Sequence, residues 1–424
     1  MIIFELACKN LLLQRKRYIL MTCAIALGFF LMTVLSALTQ GAIDTIRSKA
    51  ARYFSGQICI YGFDGTFRTV ENADFYIDLL QDASLPIQTV AKRSTLYSEY
   101  EATIFFNGAY VGIRRTIGVD FESEKEQLQK LPFIEGGVGN GLLVSRAITD
   151  VIGAHVGDTV IFSVTTPTGQ LNTHTLEISG IFDELNLFGY SVYMDRTDVN
   201  TLAQFPPEYV SEIAVFTNNG ASLAPIEIKI RDILSDHIPL LGQTSNRNDF
   251  NTILANGAPE GIKALAPVTI DAQLEEISLL LRAFKLCAYV ILLVFMLITA
   301  IGIINTYRVI IYNRVGEIGT MRAMGIHKKT VLHIFLSEAL ILSIVASAIG
   351  FVLANIALPL TQFFPLTGTP AVTMFTEYNT LQYTIRLSSI LLNVILIISS
   401  VLLAVWNPSK KAATVSPAEA LRKL

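Results

Sequence analysis

Leu286 to Tyr307 reads LCAYVILLVFMLITAIGIINTY, 22 residues without a charge. A helix needs about 20 apolar residues to cross a hydrocarbon core about 30 Å thick, so this stretch has the length of a membrane span. Three more stretches read the same way: Tyr18–Leu38, Leu387–Trp406, and Ala339–Leu360 with Glu338 at its entrance. Nothing from Thr39 to Leu281 is apolar for that long, so a large water-facing insert follows the first span. The resulting order is an entry helix at 1–17, spans at 18–38, 286–307, 333–360 and 387–406, an insert at 39–281, loops at 308–332 and 361–386, and a tail at 407–424.

Composition agrees with a chain partly in lipid: 52% of the 424 residues are hydrophobic, 16% are charged, and the mean hydropathy is +0.50. The first span is longer than a usual signal-peptide core and Ser36-Ala37-Leu38 is a poor cleavage site, so it reads as an uncleaved anchor. Met21-Thr22-Cys23 is a poor lipid-attachment box. Cys8, Cys23, Cys59 and Cys287 stand too far apart for a zinc knuckle or a disulfide framework.

The charges set an orientation. Lys9, Arg15, Lys16 and Arg17 precede the first span, Arg308, Arg314, Arg322, Lys328 and Lys329 lie between the second and third, and Lys410, Lys411, Arg422 and Lys423 follow the fourth. The positive-inside rule puts these three regions and both termini in the cytoplasm, in a cell inner membrane, with the insert exported. From Thr39 to Leu281 there are 16 Lys and Arg against 30 Asp and Glu, a net of -14, while the rest carries +11 and the whole chain -3. The basic side would be held against anionic lipid, and nucleic acid does not fit this balance as a partner.

The insert changes texture along its length. Ile43, Ile46 and Ala50 continue the first helix with one apolar face, and Gln57–Tyr61, Thr103–Phe106 and Tyr110–Ile117 read as strands. A polar helix is expected over Phe121–Lys130 and another over Ser145–Ile152 with Ser145 as N-cap. Val160–Thr165 and Thr173–Ser179 read as a hairpin turning at Pro167–Gln170, Ile226–Leu234 as a helix, and Ala272–Lys285 as an amphipathic helix leading into the second span. The fold class is therefore an α-helical membrane protein with four transmembrane helices and a mixed α+β extracytoplasmic domain between helices 1 and 2.

Enzyme chemistry finds no purchase. There is no Gly-x-x-x-x-Gly-Lys-Ser/Thr run and no Gly-x-Ser-x-Gly, and Gly136–Gly141 lacks the phosphate-binding lysine. His155, His174 and His237 have no second ligand at helical spacing, so no metal and no cofactor is expected on this chain. Glu338, the acid at a membrane segment, reads as an interfacial hydrogen-bonding group ahead of a proton carrier. Ala339, Ser343 and Ser347, and Ala346, Gly350 and Ala354, recur at four-residue spacing, which suits close packing of helices within the chain or across a dimer.

Two cytoplasmic segments carry a family likeness. Arg314-Val315-Gly316-Glu317-Ile318-Gly319-Thr320-Met321-Arg322-Ala323-Met324-Gly325-Ile326, followed by Phe335-Leu336-Ser337-Glu338-Ala339, resembles the loop of the MacB/FtsX-like permeases of ABC transporters, the type VII or mechanotransmission class. Asn407-Pro408-Ser409-Lys410-Lys411-Ala412-Ala413 with Ser416–Arg422 is similar to that family's ending, although Asn407 stands where a small residue is commoner. Leu6–Leu11 resembles its entry helix, and Leu143–Arg146, Val156–Val160 and Ile178–Phe182 are similar to its exported domain.

The resemblance implies a permease that couples to a separate dimeric ATPase, which would carry the ATP and Mg, and that pairs with an identical or homologous second permease. It implies docking through Glu317, Gly319, Arg322, Ala323, Gly325 and Lys328. Gly319 and Gly325 would bracket a short helix, and Arg322, Lys328 and Lys329 would meet an acidic groove; the other reading is that these charges only fix topology. Too few residues precede Tyr18 for a fused ATPase. The size and single insert resemble most the lipoprotein-releasing LolC/LolE-like branch. A MacB-like efflux subunit for drugs or peptides and an FtsX-like regulator of a cell-wall hydrolase are the alternatives.

Overall fold

The computed structural model describes residues 15–97, 99–184, 189–218, 222–242, 246–366 and 370–414. The expected entry helix over 1–17, up to its last residues, and the end of the tail from 415 onward lie outside the described residues. Contacts divide the chain into two compact units, one of Met1–Ala42, Arg282–Pro365 and Thr380–Leu424, the other of Ile43–Leu281 and Leu366–Asn379.

Among the described residues, the first unit has four helices long and apolar enough to cross a membrane and a short α-helix between the second and third of them. They are α1 (Arg15–Tyr53), α2 (Glu275–Asn313), α3 (Val315–Ala323), α4 (Lys328–Leu360) and α5 (Leu387–Ala413). Both α1 and α2 have 39 residues, far more than a bilayer requires, and each continues into the second unit. Lipid is as apolar as leucine, so these helices associate by close fit and polar contacts rather than by expulsion of water. Their shared core takes Ile25 and Phe29 from α1, Ile303 and Tyr307 from α2, Ile318 from α3, Phe335 and Ala346 from α4, and Val401 from α5.

The second unit is a twelve-stranded mixed sheet with helices against it. Its strands are β1 (Ile58–Asp64), β2 (Ile87–Leu96), β3 (Glu101–Phe106), β4 (Ala109–Ile113), β5 (Arg115–Val119), β6 (Phe133–Gly136), β7 (Leu142–Ser145), β8 (Thr159–Thr165), β9 (Leu171–Phe182), β10 (Ser191–Asp195), β11 (Glu212–Thr217) and β12 (Lys263–Thr269). Their order is β12-β1-β11-β2-β5-β10-β7-β9-β8-β3-β4, with β6 on β9. One core packs helices Ala73–Asp82 and Leu223–Ser235 on Ile58, Ile60, Val90 and Ile213. Another packs helices Arg146–Ile152 and Arg196–Ala203 on Ile104, Val144, Phe162 and Ile178.

Several local expectations change. Tyr110–Ile117 is two strands: β4 pairs with β3 through a turn at Asn107 and Gly108, while β5 pairs with β2 and β10, and the break at Arg114 comes where its N–H turns to the Tyr190 carbonyl. Only Lys125–Leu128 of the expected polar helix is helical, because Asp120 accepts from the N–H of Glu122 and Ser123 in a turn and Glu124 is drawn into the core. Ser145 begins its helix without capping it; its hydroxyl donates instead to the Gly189 carbonyl. The hairpin turns as read, with β8 and β9 antiparallel and Thr166 N–H on the Gln170 carbonyl.

Candidate functional site

At the basic end of the bundle, Arg314 separates α2 from α3, and its φ of -108° breaks the helix. Its side chain does not reach solvent. Nη1 donates to Glu338 Oε2 of α4 at 2.7 Å and to the Tyr18 hydroxyl of α1 at 3.0 Å, and Nε donates to Glu317 Oε2 at 2.8 Å. The Tyr18 hydroxyl donates to the same Glu338 oxygen at 2.8 Å, and the guanidinium stacks on Phe335 with Cζ 5.0 Å from the ring centre. One guanidinium thus ties α1, α3 and α4 together. Glu338 sits where sequence reading wanted a hydrogen-bonding acid, fully buried rather than at an open interface. Arg314 and Tyr18 were not singled out from sequence, since one reads as a topology charge and the other as the start of a span.

The expected coupling residues fall into two groups. Glu317, Ala323, Gly325 and Lys328 are exposed, as are Thr320, His327 and Lys329. Gly319 does not bracket a helix; it lies inside α3, buried beside Ile318, which plugs the bundle core. Gly325 does end the segment, with φ +89° and its N–H on the Arg322 carbonyl. Arg322 turns back, half-buried, and its Nη1 closes the turn on the Ile326 carbonyl at 2.9 Å. Met324 is 75% exposed, an apolar side chain in this segment that charge-based reading passed over.

The small residues of α4 that recur at four-residue spacing face inward: Ala339, Ser343, Ala346, Ser347, Gly350 and Ala354 are buried within the unit. At Gly350 the fit leaves no room for a side chain, since a Cβ there would stand 2.5 Å from the Ala26 carbonyl of α1. Packing inside one chain therefore uses this seam.

The C-terminal end of α1 carries a second set of buried charges, within the sheet-rich unit. Lys49 donates to Glu184 and to the Thr373 carbonyl, each at 3.1 Å, and Arg52 reaches Glu377 at 3.0 Å and Glu184 at 3.6 Å. Just beyond the helix, the Ser55 hydroxyl donates to Glu212 of β11. Glu212 also faces Arg115 at 3.2 Å and accepts from Thr95 at 2.7 Å and from Tyr97, while Arg93 pairs with Glu124 at 2.6 Å. Burial pushes the Glu212 carboxyl up, but Arg115 and the three hydroxyl donors more than offset it and hold it below the ordinary value. At Glu124 burial wins over Arg93 and the carboxyl is raised. Burial likewise raises the Cys59 thiol, enclosed beside this network.

The histidines stand apart. His155 lies 3.6 Å from Glu135 and His174 4.0 Å from Asp198, both exposed, and His237 meets the Phe75 ring edge-on. Among the described residues, no group of three His, Cys, Asp or Glu is placed to hold a metal.

Comparison with known proteins bears on this arrangement. Residues 18–233 match the MacB-like periplasmic core domain and residues 289–417 the FtsX-like permease C-terminal domain. The chain is 26% identical over 165 residues to the ABC transporter permease YtrF of Bacillus subtilis, covering 37% of this chain and 36% of that protein. It is 23% identical over 369 residues to the pyoverdine export ATP-binding/permease protein PvdT of Pseudomonas fluorescens, covering 83% of this chain and 51% of that one. The chain thus spans about a third and about half of the length of these two relatives. Among solved structures, the periplasmic region of MacB from Actinobacillus actinomycetemcomitans aligns with TM-score 0.34 and 11% identity, over 54% of this chain and 95% of that one. With one family model matched over half of its length and the second over its remaining spans, the chain belongs to the MacB/FtsX-type permeases of ABC transporters.

Proposed function

We propose that this chain transmits the motion of a separate cytoplasmic ABC ATPase dimer to its sheet-rich domain on the far side of the inner membrane. Both termini are cytoplasmic in this reading, and ATP and Mg are handled by the partner. The observation that carries it is the Arg314 node: α3 leads into the exposed Met324 and, at the start of α4, the exposed Lys328, and the arginine at its root is bonded to α1 and α4. A push on α3 meets a salt-bridged joint in place of loose packing. Tyr18 on α1 belongs to that joint, and Lys49 and Arg52 of the same helix are held by Glu184 and Glu377. The far end of the lever is therefore gripped as well. A second permease, identical or homologous, completes the assembly.

Lipoprotein release from the inner membrane is the cargo reading that the size and single inserted domain support. Export of a small molecule through a partner is the second reading, favoured by two observations. The relative matched over 83% of the chain is named for pyoverdine export. Tyr110, Phe105 and Ile161 also form an exposed apolar row across β4, β3 and β8, paired in register, which suits protein docking.

Purification from the native membrane in mild detergent, with mass spectrometry of what accompanies the chain, tests both levels. An ATPase with lipoproteins supports release, and an ATPase with an adaptor protein supports export. A wall hydrolase in place of both would move the chain to the regulatory branch, and recovery without any ATPase would overturn the coupling role.

A further inference from the structure

A groove of about 380 Å³ runs between α2 and α5 at their basic ends, where α3 begins. It is lined by one face of each helix, Ile304, Arg308 and Ile311 on α2 and Ala404, Asn407 and Lys411 on α5. The floor is apolar and buried at Ile311 and Ala404, while Arg308 and Lys411 stand exposed at the rim. No carboxylate lines the groove, and neither cation has an ion pair among the described residues. Two unneutralised cations over a greasy trough have no use for one another. Tyr312, in the lining, and Trp406, one residue from it, are both exposed, and such rings settle at the level of lipid headgroups. Depth, charge and shape therefore select the same occupant.

We propose that this groove binds one anionic phospholipid, its phosphate between Arg308 and Lys411 and an acyl chain along Ile304, Leu403 and Ala404. The lipid would fill the space between α2 and α5 beside Val315, the first residue of α3, so the coupling helix would rest partly on bound lipid. Basic pockets between membrane helices are known anionic-lipid sites in general. Neither the transport role nor the family assignment requires such a lipid.

Native mass spectrometry of the detergent-purified full chain, titrated with phosphatidylglycerol and with phosphatidylcholine of the same acyl chains, tests it. Phosphatidylglycerol should stay bound at detergent levels that strip phosphatidylcholine. Arg308→Ala with Lys411→Ala should weaken it by about 30-fold, from two basic contacts near an anionic surface. Both side chains are exposed, so the double variant should keep the elution profile of the wild type. Lys410→Ala, on the neighbouring exposed position outside the groove, should bind as wild type. Equal retention of both lipids, unchanged binding by the double variant, an equal loss in Lys410→Ala, or full competition by inorganic phosphate would each overturn the proposal.

Discussion

Arg314 and Glu338 meet at 2.7 Å with both side chains closed to solvent, one at the root of α3 and the other on α4. Removing one member of a buried pair leaves the other charge without compensation, which typically costs about 3–5 kcal/mol. Glu338→Ala should therefore lower the unfolding temperature in detergent sharply. Arg314→Met together with Glu338→Leu should recover most of the loss while leaving ATPase stimulation impaired. Recovery of both properties would show that the pair contributes stability without transmitting motion.

Met324→Glu tests the apolar tip of the coupling segment. An exposed substitution of this kind shifts stability by no more than about 0.5 kcal/mol. Thermal unfolding should be unchanged while co-purification of the ATPase falls at least several-fold. Retained association would move docking to Lys328 and Lys329.

The α1–α4 seam makes a steric prediction. Gly350→Ala would drive a Cβ into the Ala26 carbonyl, and overpacking of this sort costs about 1–3 kcal/mol. Gly302→Ala on α2 meets nothing within 4 Å and should be neutral or slightly stabilising. The two unfolding temperatures, measured side by side, decide the point.

Acid should loosen the sheet-rich unit through Glu212. Its carboxyl is lowered on folding, so its contribution is full above the ordinary value of 4.5 and is lost as pH falls from there through the folded value. Hydrogen exchange at β2 and β11 should speed up relative to the rest of the sheet as pH drops below about 4.5, after correction for intrinsic rates. Glu212→Gln should flatten that dependence and be less protected at neutral pH. An identical pH profile in wild type and variant would remove Glu212 as the acid-sensitive group.

The spans were legible because a bilayer imposes one strong rule on length and polarity, and four stretches obey it. The sheet was read less well. Strands β10, β11 and β12 are buried on both faces and carry no alternation, so Ser191–Asp195 and Glu212–Thr217 gave no period-two signal. Asn107-Gly108, a turn pair that selects a tight hairpin, was present and would have placed the β3–β4 boundary. At the site, Glu338 was found because an acid in lipid is conspicuous. Arg314 and Tyr18 were hidden because they lie 24 and 320 residues from their shared partner Glu338, a separation no local pattern reports. The bond of Arg322 to the Ile326 carbonyl was hidden for a related reason: charge alone does not say that a side chain will fold back onto a nearby carbonyl.

Helix α1 contributes Tyr18 to one ion-pair node and Lys49 and Arg52 to another. Lys49 and Arg52 are bonded to partners of the sheet-rich unit and Tyr18 to partners of the helical unit, so each node keeps its own geometry through contacts inside its own unit. Apolar side chains between them can drift among Leu, Ile and Val at little cost, but the residues that make the ion pairs cannot. Descendants of this protein should thus vary in the spelling of the stretch and keep Tyr18, Lys49 and Arg52, as a shaft tolerates wear along its length but not at its two fittings.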